Sequence, residues 1–182
     1  YIEDNRKCYL VMEYVRGKSL GEYLRDGKRF SVNEIVKYGM EIADVFSYFH
    51  NRKPPVYYGD LKPDNLMMGE NGRLYLIDLG GAVNGYKYQH KVCTGTTGFA
   101  APEQYEGKIN AATDIYTFGK TLSALCGKRD YLLFIRNIAL FWLIFRCCMK
   151  KPEMRYQNMQ MVQKKLSRIQ KRQSQSKIKN ML

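Results

Sequence analysis

The sequence predicts a mostly α-helical domain with a small β ribbon, and three observations carry that reading. The stretch "SVNEIVKYGMEIADVFSYFHN" opens on Ser31 with Glu34 three residues later, and its apolar residues then recur at helical spacing. Two short apolar runs, "NLMM" and "RLYLID", flank "GENG", where Asn71-Gly72 favours a tight hairpin. Beyond Ala111 the chain returns to helical patterning and ends in the apolar run "YLLFIRNIALFWLIFRCC".

Taken in order, "KCYLVMEYV" reads as a strand and "GKSLGEYLRDG" as a short helix capped by Ser19 and closed by Gly27. The long helix places Ile35, Gly39, Ile42, Phe46 and Phe49 on one face and stops at "KPP". Asn65 and Asp78 lie at the two ends of the hairpin, so both are expected near its open end, able to point at one site. Residues 79–100 are rich in Gly and Thr, show no period, and read as a long loop. The last apolar run is interrupted by Arg136, Asn137 and Arg146. Its unbroken part falls short of the roughly 20 residues a membrane-spanning helix needs, so it reads as a buried core helix.

The chain has 182 residues, 45% of them hydrophobic, which is one domain's worth and enough to bury a core without disulfides or metals. The five cysteines, Cys8, Cys93, Cys126, Cys147 and Cys148, are odd in number and contain no C-x-x-C pair, so reduced thiols of a cytoplasmic protein are expected. The net charge of +13 is unevenly placed: residues 150–182 carry ten Lys or Arg against the single Glu153. Segment 164–182, "KKLSRIQKRQSQSKIKNML", reads as a basic tail beyond a domain spanning 1–163. A solvated helix fraying into disorder is expected there, with contact to an anionic membrane surface as the alternative. Nucleic acid is not expected as a partner, because no aromatic residues interleave the charges.

The chemistry concentrates in "YYGDLKPDNLMM" and "YLIDLGG". Asp60 offers a proton acceptor, Lys62 a cation two residues on, and Asn65 and Asp78 hard oxygen ligands. Together with "GTTGFAAPE", "TDIYTFG" and "KKPEMRY", in that order, these segments resemble the C-terminal lobe of a eukaryotic-like serine/threonine protein kinase of bacterial type, over nearly the whole chain. The resemblance implies ATP and Mg²⁺ as cofactors and a protein Ser or Thr hydroxyl as acceptor. Asp60 would receive the hydroxyl proton, Lys62 would neutralise the γ-phosphate, and Asn65 and Asp78 would ligate Mg²⁺. The lysine of "DLKPDN" is the mark of the Ser/Thr group, since tyrosine kinases carry an arginine or alanine pattern there. Met12 would be the gatekeeper, Glu13, Tyr14 and Val15 would line the adenine edge through their backbone, and Met67 would form the floor. Ser19 would stand near the ribose, or serve only as the helix cap. Thr96 would bond Asp60 and Lys62 and shape the substrate platform, or be a loop phosphosite or an ordinary loop hydroxyl. Glu103 and Arg155 match a buried ion pair, and Asp114 matches the helix-start aspartate that bonds the backbone of the acceptor loop.

Departures from the family pattern matter as much. Where relatives have H-R-D, this chain has Tyr58-Gly59-Asp60, so no arginine precedes the acceptor and a phosphate on Thr94, Thr96 or Thr97 has no obvious partner there. D-F-G becomes Asp78-Leu79-Gly80, and the short spacing from Asp114 to Arg155 implies a reduced or missing helix in the substrate-docking region. No G-x-G-x-x-G occurs in the 182 residues, and only eleven precede Met12. The N-terminal lobe that would cover the nucleotide is therefore expected upstream, and this chain alone is expected to be inactive. A non-catalytic kinase-like binding module is the alternative.

Overall fold

A computed structural model describes residues 2–4, 7–9, 12–85, 95–127 and 137–179. The chain begins with β1 (Ile2–Asp4) and β2 (Lys7–Tyr9), an antiparallel pair. Of the strand expected from Lys7 to Val15, Lys7–Tyr9 is strand and residues 12–15 are irregular, while residues 10 and 11 lie outside the described part. The chain then forms β3 (Gly17–Ser19) and α1 (Leu20–Arg25), whose cap is Ser19, with Glu22 closing the reciprocal bonds of a capping box. α2 (Val32–His50) is capped in the same way by Ser31 and Glu34. Its expected inner face is buried at Ile35, Gly39, Ile42 and Phe46, joined by Val36, Tyr38 and Ala43, and Phe49 packs at the edge of the core.

Short pairings then position the loops. β4 (Val56–Tyr57) is followed by β5 (Leu66–Gly69) and β6 (Leu74–Leu76), which form the hairpin around Asn71-Gly72. The Asn71 side chain accepts from Arg73 N, and Gly72 takes the left-handed backbone (φ 73°) that the turn requires. The ribbon has a third strand that the sequence did not show, because β3 pairs with β5 from Gly17↔Gly69 to Ser19↔Met67. The segment read as loop from residue 79 contains β7 (Val83–Asn84), which pairs with β4 and draws the chain after Asp78 toward the Asp60 loop.

Helices α3 (Ala111–Cys126), α4 (Ile138–Cys147) and α5 (Met159–Lys179) complete the core with α2. Asn110 caps α3 and Asn137 caps α4, so the last apolar run is helical from Ile138, and residues 131–136 lie outside the described part. α3 and α4 approach closely at Gly119, where a Cβ would stand 2.6 Å from the Cys147 Cβ. No helix among the described residues is long and apolar enough to cross a membrane.

Helix α5 crosses the boundary expected between residues 163 and 164 without a break. Met159, Val162, Leu166 and Ile169 recur every three or four positions and are buried, while Lys164, Lys165, Arg168, Lys171 and Arg172 stay exposed. Gln163 ties this helix to α2 through Ser47 Oγ (2.9 Å) and Asp44 Oδ1 (2.6 Å). The start of the supposed tail is therefore core as far as Ile169. Leu166→Ala is expected to destabilise the chain by about 2–5 kcal/mol, the range for a buried leucine. Lys171→Ala should stay within about 0.5 kcal/mol. Urea midpoints check both, and an unchanged midpoint for the Leu166 variant would return the segment to a solvated tail.

Candidate active site

Asp60 lies on the loop between β4 and the 3-10 turn Pro63–Asn65, and its carboxylate is engaged on both oxygens. Oδ1 accepts from Thr96 N (3.1 Å) and Thr96 Oγ (2.7 Å), and Oδ2 accepts from Lys62 Nζ (2.8 Å). Lys62 Nζ also donates to Thr96 Oγ at 2.7 Å, closing a ring of three side chains. The Asp60 and Lys62 side chains keep 18% and 21% exposure, so the ring is open to solvent on one side. An ammonium has three N–H groups, and with two engaged among the described residues the third could meet an anion.

Asn65 is nearly buried and donates its Nδ2 to the Asp60 carbonyl (2.9 Å). That fixes the amide and leaves Oδ1 as its oxygen for a cation. Ile77 N donates to Asn65 O at 2.9 Å, so the hairpin brings the chain before Asp78 alongside Asn65. Asp78 is exposed and takes a left-handed backbone (φ 60°), which aspartate tolerates better than most residues, and its Oδ1 accepts from Gly80 N at 3.1 Å. At Gly81 a Cβ would stand 3.9 Å from the Asp60 Cβ, which places the segment after Asp78 beside Asp60. Two oxygen-bearing side chains would suit Mg²⁺, which takes one or two protein oxygens and completes its shell with phosphates and water. No cluster of three His, Cys, Asp or Glu able to hold a metal occurs among the described residues.

The Asp60 loop is fixed from beneath. Asp114, in the first turn of α3 and fully buried, accepts from Tyr58 N (3.0 Å) and Gly59 N (2.7 Å). His50 Nε2 lies 2.8 Å from the same carboxylate, while its Nδ1 is buried with no hydrogen-bond partner among the described residues, so the proton belongs on Nε2. Tyr58 is buried, and its hydroxyl donates to Ile77 O at 2.7 Å; burial pushes its pKa above the usual phenol value. Glu103 and Arg155 form a bidentate pair, Nη1 to Oε1 at 2.5 Å and Nη2 to Oε2 at 2.9 Å. Arg155 also donates to Met149 O, Ala112 O and Lys150 O, so all five of its N–H groups are engaged while it is fully buried. Burial, the largest single influence, would raise the Glu103 carboxyl, but the hydrogen bonds from Arg155, the backbone and Thr113, together with the Arg155 charge, outweigh it and hold the group below its ordinary value.

On the adenine side the expected set is open. Met12 is 68% and Tyr14 84% exposed, while Glu13, Tyr14 and Val15 line a hollow of ≈ 240 Å³ with the hairpin residues Gly69, Asn71 and Tyr75. Met67 is half-buried in β5, paired with Tyr75 on the face opposite the core contacts of Leu66 and Met68. The Ser19 hydroxyl accepts from Glu22 N at 3.1 Å, which is its capping role. Sequence reasoning missed His50 and Gln104. The second donates its Nε2 to Gly59 O at 2.8 Å, and only its place directly after Glu103 could have drawn notice.

The family description "Protein kinase domain" matches residues 1–181. A probable serine/threonine-protein kinase of Clostridium acetobutylicum is 31% identical over 194 residues, covering 91% of this chain and 29% of that protein. The serine/threonine-protein kinase PknG of Mycolicibacterium smegmatis is 43% identical over 119 residues, 64% of this chain and 14% of that one. Aurora/IPL1-related protein kinase 2 of Caenorhabditis elegans is 36% identical over 120 residues, 65% of this chain and 39% of that one. The chain thus spans well under half the length of each of these relatives.

Arg155→Met is expected to cost about 3–5 kcal/mol, because it strands the buried Glu103 carboxylate. The lowered Glu103 pKa also sets a sign: its contribution is complete above the unfolded carboxyl value of ~4.3 and is lost as pH falls through the lower folded value. Urea denaturation of Glu103→Gln across that acid range should show a shallower loss of stability than the parent. Parallel curves would exclude the pair as an acid-sensitive anchor.

Proposed function

We propose that this chain, which belongs to the protein kinase family, supplies the acceptor-side half of an ATP- and Mg²⁺-dependent serine/threonine protein kinase site. The observation that carries this reading is the ring of Asp60, Lys62 and Thr96 with Asn65 locked beside it. In phosphoryl transfer the protein contributes mainly position and charge, and this arrangement contributes both. Asp60, oriented by Thr96 and Lys62, would accept the proton of an incoming Ser or Thr hydroxyl. The free N–H of Lys62 would face the transferred phosphoryl, and Asn65 Oδ1 with the Asp78 carboxylate would hold Mg²⁺. Bound there, the metal supplies charge neutralisation across the phosphates. The Met12 to Val15 segment and Met67 would meet the adenine. Ser19 as a ribose contact would require its hydroxyl to leave the cap.

The 182 residues contain no glycine-rich phosphate loop, so the covering half of the site is proposed to come from residues outside this chain. Exposed Met12, Tyr14 and Leu79 offer an apolar surface for it. The same surface would serve a non-catalytic binding module, but such a module has no need of the intact Asp60, Lys62, Asn65 and Asp78 set. In protein that includes the covering half, Asp60→Asn should lower transfer to Ser or Thr by roughly 10²–10⁴-fold while Mg-ATP binding survives. Transfer at the parental rate would remove Asp60 from the acceptor role. Residues 1–182 alone should show no transfer and no Mg-ATP shift in thermal melting, because one wall of the nucleotide pocket is missing. Asp60-dependent transfer by this chain alone would show that a second copy completes the site.

A further inference from the structure

We propose that Gln104 is a positioning residue which, by bonding the Gly59 carbonyl, holds the Asp60 loop in working shape without any reversible modification. This rests on the phosphoryl-transfer reading of Asp60. Gly59 directly precedes Asp60 and has a left-handed backbone (φ 73°). Its N–H donates to Asp114 Oδ1 at 2.7 Å, and its C=O accepts from Gln104 Nε2 at 2.8 Å. Both polar groups of one residue are thus engaged by fully buried side chains from separate elements, α3 and the 3-10 turn Pro102–Glu106.

The amide cannot be turned around. Gln104 Oε1 accepts from Ala101 N at 2.8 Å, so the oxygen must face that donor and the nitrogen must face Gly59 O. Packing on both sides is close, since a Cβ at Gly59 would stand 3.3 Å from Ile109 Cδ1 and one at Gly95 would stand 3.0 Å from Gln104 Nε2. Gln104 therefore sits between the backbone preceding Asp60 and the backbone preceding Thr96, the two residues whose side chains meet at the acceptor. The residue that precedes Asp60 is glycine, so it offers no cation to a phosphate on Thr94, Thr96 or Thr97. A neutral buried amide requires no counter-charge and cannot be switched off by a phosphatase.

Amide hydrogen exchange on the isotope-labelled 182-residue chain tests this. The Gln104 side-chain amide protons should exchange slowly in the parent protein. In Gln104→Met, similar in length, the Tyr58 and Gly59 amides should exchange about tenfold faster, as for loss of one net hydrogen bond, and the Asp60 carboxyl carbon resonance should move. Amides of Ile115 to Leu122 in α3 should stay within about twofold, as expected of a local opening. A freely exchanging Gln104 amide in the parent overturns the proposal without any substitution. So do parental Tyr58 and Gly59 rates in the variant, or equal acceleration everywhere, which would make Gln104 a general core residue. None of these readouts needs phosphoryl transfer, so a protected amide in an inactive protein would support the clamp while the functional reading failed.

Discussion

Everything at the Asp60 loop depends on satisfying one buried charge. The Asp114 carboxylate is fully removed from solvent, and a carboxylate in that position is tolerable only if donors surround it. It receives Tyr58 N, Gly59 N and the His50 ring, and it lies in the first turn of α3, where the positive end of the helix dipole favours negative charge. Those bonds join the end of α2, the start of α3 and the loop that carries Asp60. The position of Asp60 therefore follows from the packing of two core helices rather than from the loop's own preferences.

A second buried charge pair supports the facing loop. With every N–H of Arg155 engaged, the Glu103 segment is fixed to the turn before α5 and to the start of α3. Gln104, next in sequence, carries that rigidity to Gly59. Thr96 returns it to Asp60 from the other side. The partly solvated groups left at the top are those to which the proposed reading assigns the chemistry: the Asp60 carboxylate, the third N–H of Lys62 and the Asp78 carboxylate. Buried, fully bonded groups lie beneath and partly solvated ones above, an arrangement that suits the proposed preorganised charge stabilisation.

Much of this was legible in the sequence because its signals are local. Two Ser-x-x-Glu boxes start α1 and α2 where expected, and Asn71-Gly72 closes the hairpin. The ordered motifs name Asp60, Lys62, Asn65 and Thr96, and the structure brings those four together. The pairings of β3 with β5 and of β4 with β7 were invisible, since strands of two or three residues carry no period and are fixed by tertiary contacts. In α5 the charge run outweighed the stripe of Met159, Val162, Leu166 and Ile169, although that stripe was readable at helical spacing. His50 and Gln104 escaped because a lone imidazole at a helix end and a lone amide in a loop look the same whether buried or solvated.

The most direct measurement is γ-phosphoryl transfer from ATP to a Ser- or Thr-containing peptide by protein that joins this lobe to a nucleotide-covering half, comparing the parent with Asp114→Asn. An amide there turns one acceptor into a donor facing N–H groups and should loosen the Asp60 loop. The expected result is transfer by the parent and its near-complete loss in a variant that still melts cooperatively. Undiminished transfer by Asp114→Asn, or no transfer by the joined parent, would contradict an acceptor site built on this buried carboxylate.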